Sequence, residues 1–261
     1  MKGITSIIGM VIAIAMTVYG VISAGGVMGD FLNLPSFLMV VIPTFACVFA
    51  SFPMSTLKQV PKHFKVLLGQ EYNATEYIDR IVQLSEKARK EGLLAFEKEQ
   101  IDDPLMAYAL RMMVDGLDKF SVKFALEDCI NGIKERHAEG VSIYEKAAAF
   151  SPAFAMIGTV VGLINMLMNL DFADPNAINM LGGNIALALI TTLYGSFFAN
   201  IIFLPIVGRL KVLHKKEIFC KTMVCNGLLS ILNGDNPRII KDYLVEQLSS
   251  GDGLAFKDVS Q

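Results

Sequence analysis

The chain has 261 residues, 53% of them hydrophobic, and a formal net charge of −2. That is too apolar for an ordinary soluble domain and suits a protein held partly in a bilayer. The net charge says little about partners, and no nucleic-acid partner is expected; the placement of charge is what informs: all 23 basic residues lie outside two blocks, residues 3–57 and 147–208, where no Lys or Arg occurs.

A Lys or Arg at the bilayer centre costs roughly 2.5–3.5 kcal/mol on the insertion scale, so the two blocks are the membrane part. Each is long enough for two helices and a turn. The first predicted span is Ile4–Ile22, which at 1.5 Å per residue crosses a hydrocarbon core of roughly 30 Å. The apolar run is longer than a signal-peptide core, so this span is read as uncleaved. Gly25, Gly26, Gly29 and Asp30 form a short loop. The second span, Leu34–Phe52, is entered at Pro35, and Pro43 inside it should kink it.

Residues 53–146 change character. Basic and acidic residues interleave, and apolar positions recur at helical spacing, as in Tyr77, Ile78, Ile81, Val82 and Leu84, then Leu93, Leu94 and Phe96. Asp103 before Pro104 marks a helix start. Met106–Val114 and Phe120–Ile133 read as further helices. The charged stretch Lys134–Glu145 leads without a breaker into the third span, which ends near Leu170, so one long helix is expected there. Asp171–Asn179 is a short loop. The fourth span is Ile185–Val207, followed at once by Arg209, Lys211, His214, Lys215 and Lys216. Helices at Ile218–Leu232 and from Asn236-Pro237 to about Leu248 come next, and the tail after Gly251 is expected to fray.

The predicted fold is all-α: a polytopic membrane protein with four transmembrane helices and a cytoplasmic helical domain. It divides into residues 1–52 (spans one and two), 53–146 (cytoplasmic domain), 147–208 (spans three and four) and 209–261 (cytoplasmic C-terminal helices). Both outer loops lack Lys and Arg, so both termini and the middle domain face the cytoplasm. Cys47, Cys129, Cys220 and Cys225 form no CxxC or Cys/His cluster and are read as reduced, small hydrophobes.

Spans three and four carry the candidate chemistry. Ala188, Thr192, Ser196 and Asn200 recur every four residues and make a small, polar stripe on span four. Span three carries Gly158 and Gly162, with Ala155 and Thr159. Small residues at this spacing let helices approach closely. Thr159 and Thr192 lie at similar depth, about 20 and 26 Å from the inner boundary at the helical rise. Their hydroxyls, with Thr191 and Ser196, are candidate oxygens for a cation or a carboxylate. No Asp, Glu, His, Lys or Arg lies in any span, so an ion path here needs a carboxylate from another chain. Pro152 and Pro205, near the cytoplasmic ends, are candidate hinges. His63, His137 and His214 are scattered and read as surface or cap residues. No nucleophile–base set, phosphate loop or metal cluster is apparent, and no enzyme activity or cofactor is expected.

At Ala88–Glu97, at Ser151-Pro152-Ala153-Phe154 with Gly158-Thr159, and at Thr191-Thr192-Leu193-Tyr194-Gly195 with Pro205, the chain resembles flagellar stator subunits of the MotA/PomA family. The likeness covers nearly the whole chain. It implies a cytoplasmic-membrane homopentamer around two MotB/PomB-type chains, whose single helices carry the ion-binding Asp. Ion flow would turn the ring and push the rotor protein FliG. By resemblance, Arg89 and Glu97 are the rotor-contact pair, with Lys90 and Glu99 beside them; eight residues apart, Arg89 and Glu97 would share a helix face. Thr159 resembles the threonine of sodium-driven members, so transported Na+ is favoured over H+. The alternatives are an ExbB/TolQ-type energiser and a non-conducting membrane scaffold.

Overall fold

The computed structural model describes residues 4–69, 72–168, 170 and 177–248, and they contain helices and turns without a strand. In chain order the helices are α1 (Ile4–Ser23), α2 (Leu34–Ser51), α3 (Met54–Leu57), α4 (Val60–Gly69), α5 (Ala74–Glu91), α6 (Pro104–Val114), α7 (Lys119–Met168), α8 (Ala177–Phe197), α9 (Leu204–Leu232) and α10 (Pro237–Glu246). A 3-10 turn spans Leu93–Lys98, and a π-helix, Phe198–Phe203, joins α8 to α9. Their starts follow sequence chemistry. Asn33, Asn73, Asp103 and Asn236 accept hydrogen bonds from first-turn amides, and prolines open α2, α6 and α10.

Three segments are long and apolar enough to cross a membrane: Met28–Ser51, Lys119–Met168 and Met180–Leu232. α1, the remaining span expected from sequence, is an apolar helix of 20 residues, about 30 Å long. The single long helix expected before the third span is present as the 50 residues of α7. Two boundaries differ from expectation. Span four begins earlier, because α8 starts at Ala177. No break follows Val207 either: α9 runs on through the basic residues to Leu232, since nothing between Gly208 and Leu232 is a proline. Asp171–Asn176 and the tail from Ser249 onward lie outside the described residues.

The contacts divide the chain into two units, Met1–Gln70 with Ala138–Val212 and Glu71–His137 with Leu213–Gln261. This cuts across the division expected from charge alone. Residues 54–69 join the apolar helices, and the C-terminal helices belong with the middle segment rather than forming a part of their own.

In the first unit, Ser36, Val40, Thr44 and Val48 are buried along one stripe of α2, and α2 packs on α8. Val48, Val141, Tyr144, Phe203 and Val207 belong to its apolar cluster. In the second unit, α5, α6, α9, α10 and the start of α7 share one core, with Ile78, Ile81, Leu126, Met223, Leu228 and Leu244 fully buried. α9 approaches α5 so closely at Gly227 that a Cβ there would meet Ile81 at 2.7 Å.

The histidines are not the scattered surface residues expected. His137 and His214 meet at 3.1 Å between their Nδ1 atoms within the second unit. Burial, then the His137 charge, push His214 below its ordinary value. His63 Nδ1 lies 3.3 Å from the Tyr144 hydroxyl in the first unit. Ring pairs that form across chain separations of 77 and 81 residues leave no local sequence signal.

Candidate ion-path site and charged surface

The site is made by the antiparallel crossing of α7 and α8. Two glycines of α7 allow it. A Cβ added at Gly158 would overlap Thr191, and one at Gly162 would meet Ala188 at 3.1 Å. From the other side, a Cβ at Gly195 would collide with Ala155 and the Ser151 carbonyl. The close approach lets the Ser151 hydroxyl donate to the Gly195 carbonyl at 3.1 Å.

At this crossing Thr159 and Thr192 come together, with 2.6 Å between their hydroxyl oxygens. Thr159 Oγ1 also lies 3.0 Å from the Ala155 carbonyl and 3.1 Å from that of Ala188. Thr192 Oγ1 lies 3.3 Å from the same Ala188 carbonyl. Two hydroxyls and two carbonyls thus converge, and Thr192 is exposed in the single chain. Such an oxygen set can ligate a hard cation or donate to a carboxylate. No Asp, Glu, His, Lys or Arg occurs between residues 147 and 208 apart from Asp171 and Asp174, which lie outside the described residues. The site therefore holds oxygen ligands and no charge to neutralise an ion.

Thr191 does not join this set. It is fully buried, and its hydroxyl bonds Ser36 Oγ at 3.0 Å and the Leu187 carbonyl at 2.7 Å. One residue along a helix turns the side chain about 100°, so Thr191 faces α2 where Thr192 faces outward. Ser196 does share the exposed face of Thr192, and Asn200 follows it, donating to the Ser196 carbonyl at 2.9 Å. Sequence reasoning missed Ser36 and Tyr194. The Tyr194 hydroxyl donates to the Phe31 carbonyl and accepts the Asn33 amide at 3.0 Å, fastening the α1–α2 connection to α8. The four-residue recurrence of Ser36, Val40, Thr44 and Val48 was the available signal for the first; nothing local marks the second.

The candidate hinges take different forms. Pro152 sits inside α7, which continues past it; the ring removes the bond that the Ala148 carbonyl would accept. Pro205 lies just beyond the π-helix Phe198–Phe203. An α-helical Pro205 would clash with the Ile201 carbonyl, and the wider π turn falls where that clash would occur. π-bulges of this kind recur at functional sites.

The charged surface is in the second unit. Arg89 and Lys90 close α5, and Gly92 ends it with a φ of +81°, a left-handed backbone that favours glycine. Glu97 therefore sits on the 3-10 turn, not on the helix of Arg89, and the shared-face argument fails. Arg89, Lys90 and Glu97 are exposed. Glu99 is different. It bridges Arg80 Nη2 at 2.7 Å and Lys87 Nζ. Its hydrogen bond to Lys87, with the two positive charges, holds its carboxyl below the ordinary value against the opposing effect of burial. Glu97 and Glu99 line an open groove of about 610 Å³ with Asp102, Arg111 and Asp115.

Residues 97–222 match the MotA/TolQ/ExbB proton channel family, and residues 7–92 match the Motility protein A N-terminal family. The uncharacterized protein YtxD of Bacillus subtilis is 41% identical over 243 residues, 91% of this chain and 88% of its own. Motility protein A of Borreliella burgdorferi is 38% identical over 228 residues, 86% of each chain. Among solved structures, the flagellar MotAB stator complex from Bacillus subtilis superposes with a TM-score of 0.87 at 30% identity, covering 97% of this chain and 99% of that one.

Proposed function

Because the chain belongs to the motility protein A family and is a subunit of a flagellar stator, an ion-channel component rather than an enzyme, we propose how its site works. The two hydroxyls of Thr159 and Thr192 form part of an ion path completed by a MotB-type partner. The partner's helix brings the aspartate that these spans lack. The chain sits in the cytoplasmic membrane with four spans and both termini inside, as a homopentamer around two partner chains. Ion passage turns the ring, and Arg89, Lys90 and Glu97 push on the charged surface of FliG. Exposed charges without a tight local ion pair suit a contact that is made and broken rapidly.

The observation that carries this reading is the Thr159–Thr192 contact: a hydroxyl pair on the exposed side of a helix crossing, with no Asp, Glu, His, Lys or Arg in residues 147–168 of α7 or in α8. It also favours sodium as the transported ion. A hard cation wants several oxygen ligands, whereas a proton needs only the partner's carboxylate. No cofactor takes part.

The test is swimming speed against sodium concentration at fixed proton-motive force, in cells that lack their own stator and carry this chain with its cognate partner. A saturable rise with sodium supports the reading. Sodium-independent swimming abolished by a protonophore overturns the choice of ion. An assembled complex that never drives swimming overturns the transmission to FliG and returns the energiser reading, which the match across residues 97–222 also accommodates.

A further inference from the structure

In the first unit an open groove of about 410 Å³ runs between α1 and the segment from Asn200 to Val212. Its walls are apolar, with Ala13 and Met10 on one side and Ile201, Pro205 and Val212 on the other. Gly9 and Gly208 face open space, since a Cβ on either would meet nothing within 4 Å. Arg209 also lines it. Its Nε is buried with no hydrogen-bond partner, and the guanidinium makes no ion pair among the described residues.

We propose that this groove binds an anionic phospholipid, the phosphate on Arg209 and an acyl chain along Ala13, Ile201 and Pro205. The inference rests on the membrane orientation given above, not on the choice of ion. Arg209 is the first basic residue after block 147–208, which holds no Lys or Arg, and Gly9 lies about 7.5 Å along α1 from its start at Ile4. Both therefore fall near the cytoplasmic headgroup level. A guanidinium donates two parallel hydrogen bonds to a phosphate and keeps its charge at any depth.

A second copy of the chain fits the groove less well. Its spans carry no carboxylate to meet Arg209. Of the acidic residues just inside the boundary, Glu145 is already held by Lys211 at 2.6 Å and Glu139 by the Thr56 hydroxyl at 2.6 Å.

The experiment uses the complex of this chain with its cognate partner, purified in mild detergent and placed in nanodiscs of phosphatidylglycerol and phosphatidylcholine. Native mass spectrometry of the released complex reads retained lipid. The wild type should retain phosphatidylglycerol at least fivefold more than Arg209→Gln, Lys211→Gln should match the wild type, and millimolar inorganic phosphate should not displace the lipid. Equal retention by wild type and Arg209→Gln overturns the proposal, as does retention of no phosphatidylglycerol. Displacement by free phosphate assigns the site to a soluble anion and overturns it as well.

A second variant leaves Arg209 intact, in case its replacement prevents assembly. The chain has no Trp, so Val212→Trp adds a reporter at the groove. Its fluorescence, taken as a difference from the parent complex, should be quenched more by brominated phosphatidylglycerol than by brominated phosphatidylcholine. Equal quenching, or shielding from both by a neighbouring copy, overturns the proposal. Swimming driven by the wild-type complex is scored in parallel, so loss of lipid preference alone leaves the stator assignment standing.

Discussion

Gly158 lies so close to Thr191 that a side chain on the glycine would overlap the threonine methyl. The contact sets how near α7 comes to α8, and through that distance it sets the hydroxyl contact of Thr159 with Thr192, one residue along on each helix. Gly158→Ala should therefore act on the ion path without touching it. Overpacking of this kind costs typically about 1–3 kcal/mol. The expected result is a complex that melts earlier and drives swimming poorly. Adding Thr191→Ser removes the overlapping methyl and keeps the hydroxyl that binds Ser36. The double variant should regain much of the stability, a coupling readable in a double-mutant cycle. Additive losses would show that the two residues do not meet.

Thr191 and Thr192 are adjacent in sequence and opposite in role, which separates two variants of equal chemistry. Thr192→Val removes one oxygen from the exposed set. A hydrogen bond of ordinary net strength is about 1 kcal/mol, so half-saturating sodium for swimming should rise about fivefold with little change in melting. Thr191→Val removes the hydroxyl that Ser36 Oγ meets at 3.0 Å and leaves Ser36 with only the Leu187 carbonyl at 3.3 Å. It should lower the melting temperature and leave the sodium dependence of the surviving motors unchanged. The paired measurements are a sodium titration of swimming speed and a thermal melt of the purified complex.

The sequence makes one half of this site legible and hides the other. The recurrence of Ala188, Thr192, Ser196 and Asn200 every four residues exposes a polar stripe because helical geometry turns spacing into a face. The glycines of α7 likewise announce a close partner. What spacing cannot reveal is which neighbouring residue of a pair turns outward, and so Thr191 was grouped with Thr192 until α2 and Ser36 stood beside it. Helix ends are the second blind spot. Helical spacing alone puts Arg89 and Glu97 on one face, yet the left-handed backbone of Gly92 between them moves Glu97 off the helix of Arg89. The π-helix before Pro205 belongs to the same class: the proline predicts a disturbance, but only the path of the whole segment decides that it widens a turn.

Glu97 and Glu99 share the same groove and should behave oppositely. Glu97 is exposed, and Glu97→Gln should leave the melting temperature within about 1 °C, in line with surface changes of under about 0.5 kcal/mol, while changing torque. Glu99 is held by Arg80 and Lys87. Glu99→Gln should lower the melting temperature, more at low salt than at high, because screening weakens a partly exposed ion pair. Its lowered carboxyl pKa means that the stability it gives is present above the ordinary carboxylate range and lost as pH falls through the folded value. Melts of the purified complex across salt and pH check both statements.

Asp103 ties the second unit together. It caps α6 through the Leu105 and Met106 amides at 2.9 and 3.1 Å, accepts the Tyr77 hydroxyl at 3.1 Å and binds the buried ammonium of Lys221 on α9. Burial alone would push its carboxyl up; Lys221, the Met106 amide and Tyr77 outweigh that and hold it below its ordinary value. Burial pushes the Tyr77 hydroxyl up in turn, so it stays protonated and remains the donor. Lys221→Met leaves a buried carboxylate without its cation, a loss of about 3–5 kcal/mol for a broken buried pair. Asp103→Asn with Lys221→Met keeps the cap and removes the stranded charge, and should recover much of that loss. The pH dependence gives an independent check. The folded pKa is depressed, so the pair stabilises fully above the unfolded value of about 3.9 and loses its effect as pH falls through the folded one. The gap in melting temperature between wild type and Lys221→Met should therefore narrow on acidification below about pH 4, since a protonated Asp103 no longer needs the lysine. A gap that stays constant through that range would mean that Lys221 supports the unit by packing its stem and not by its charge.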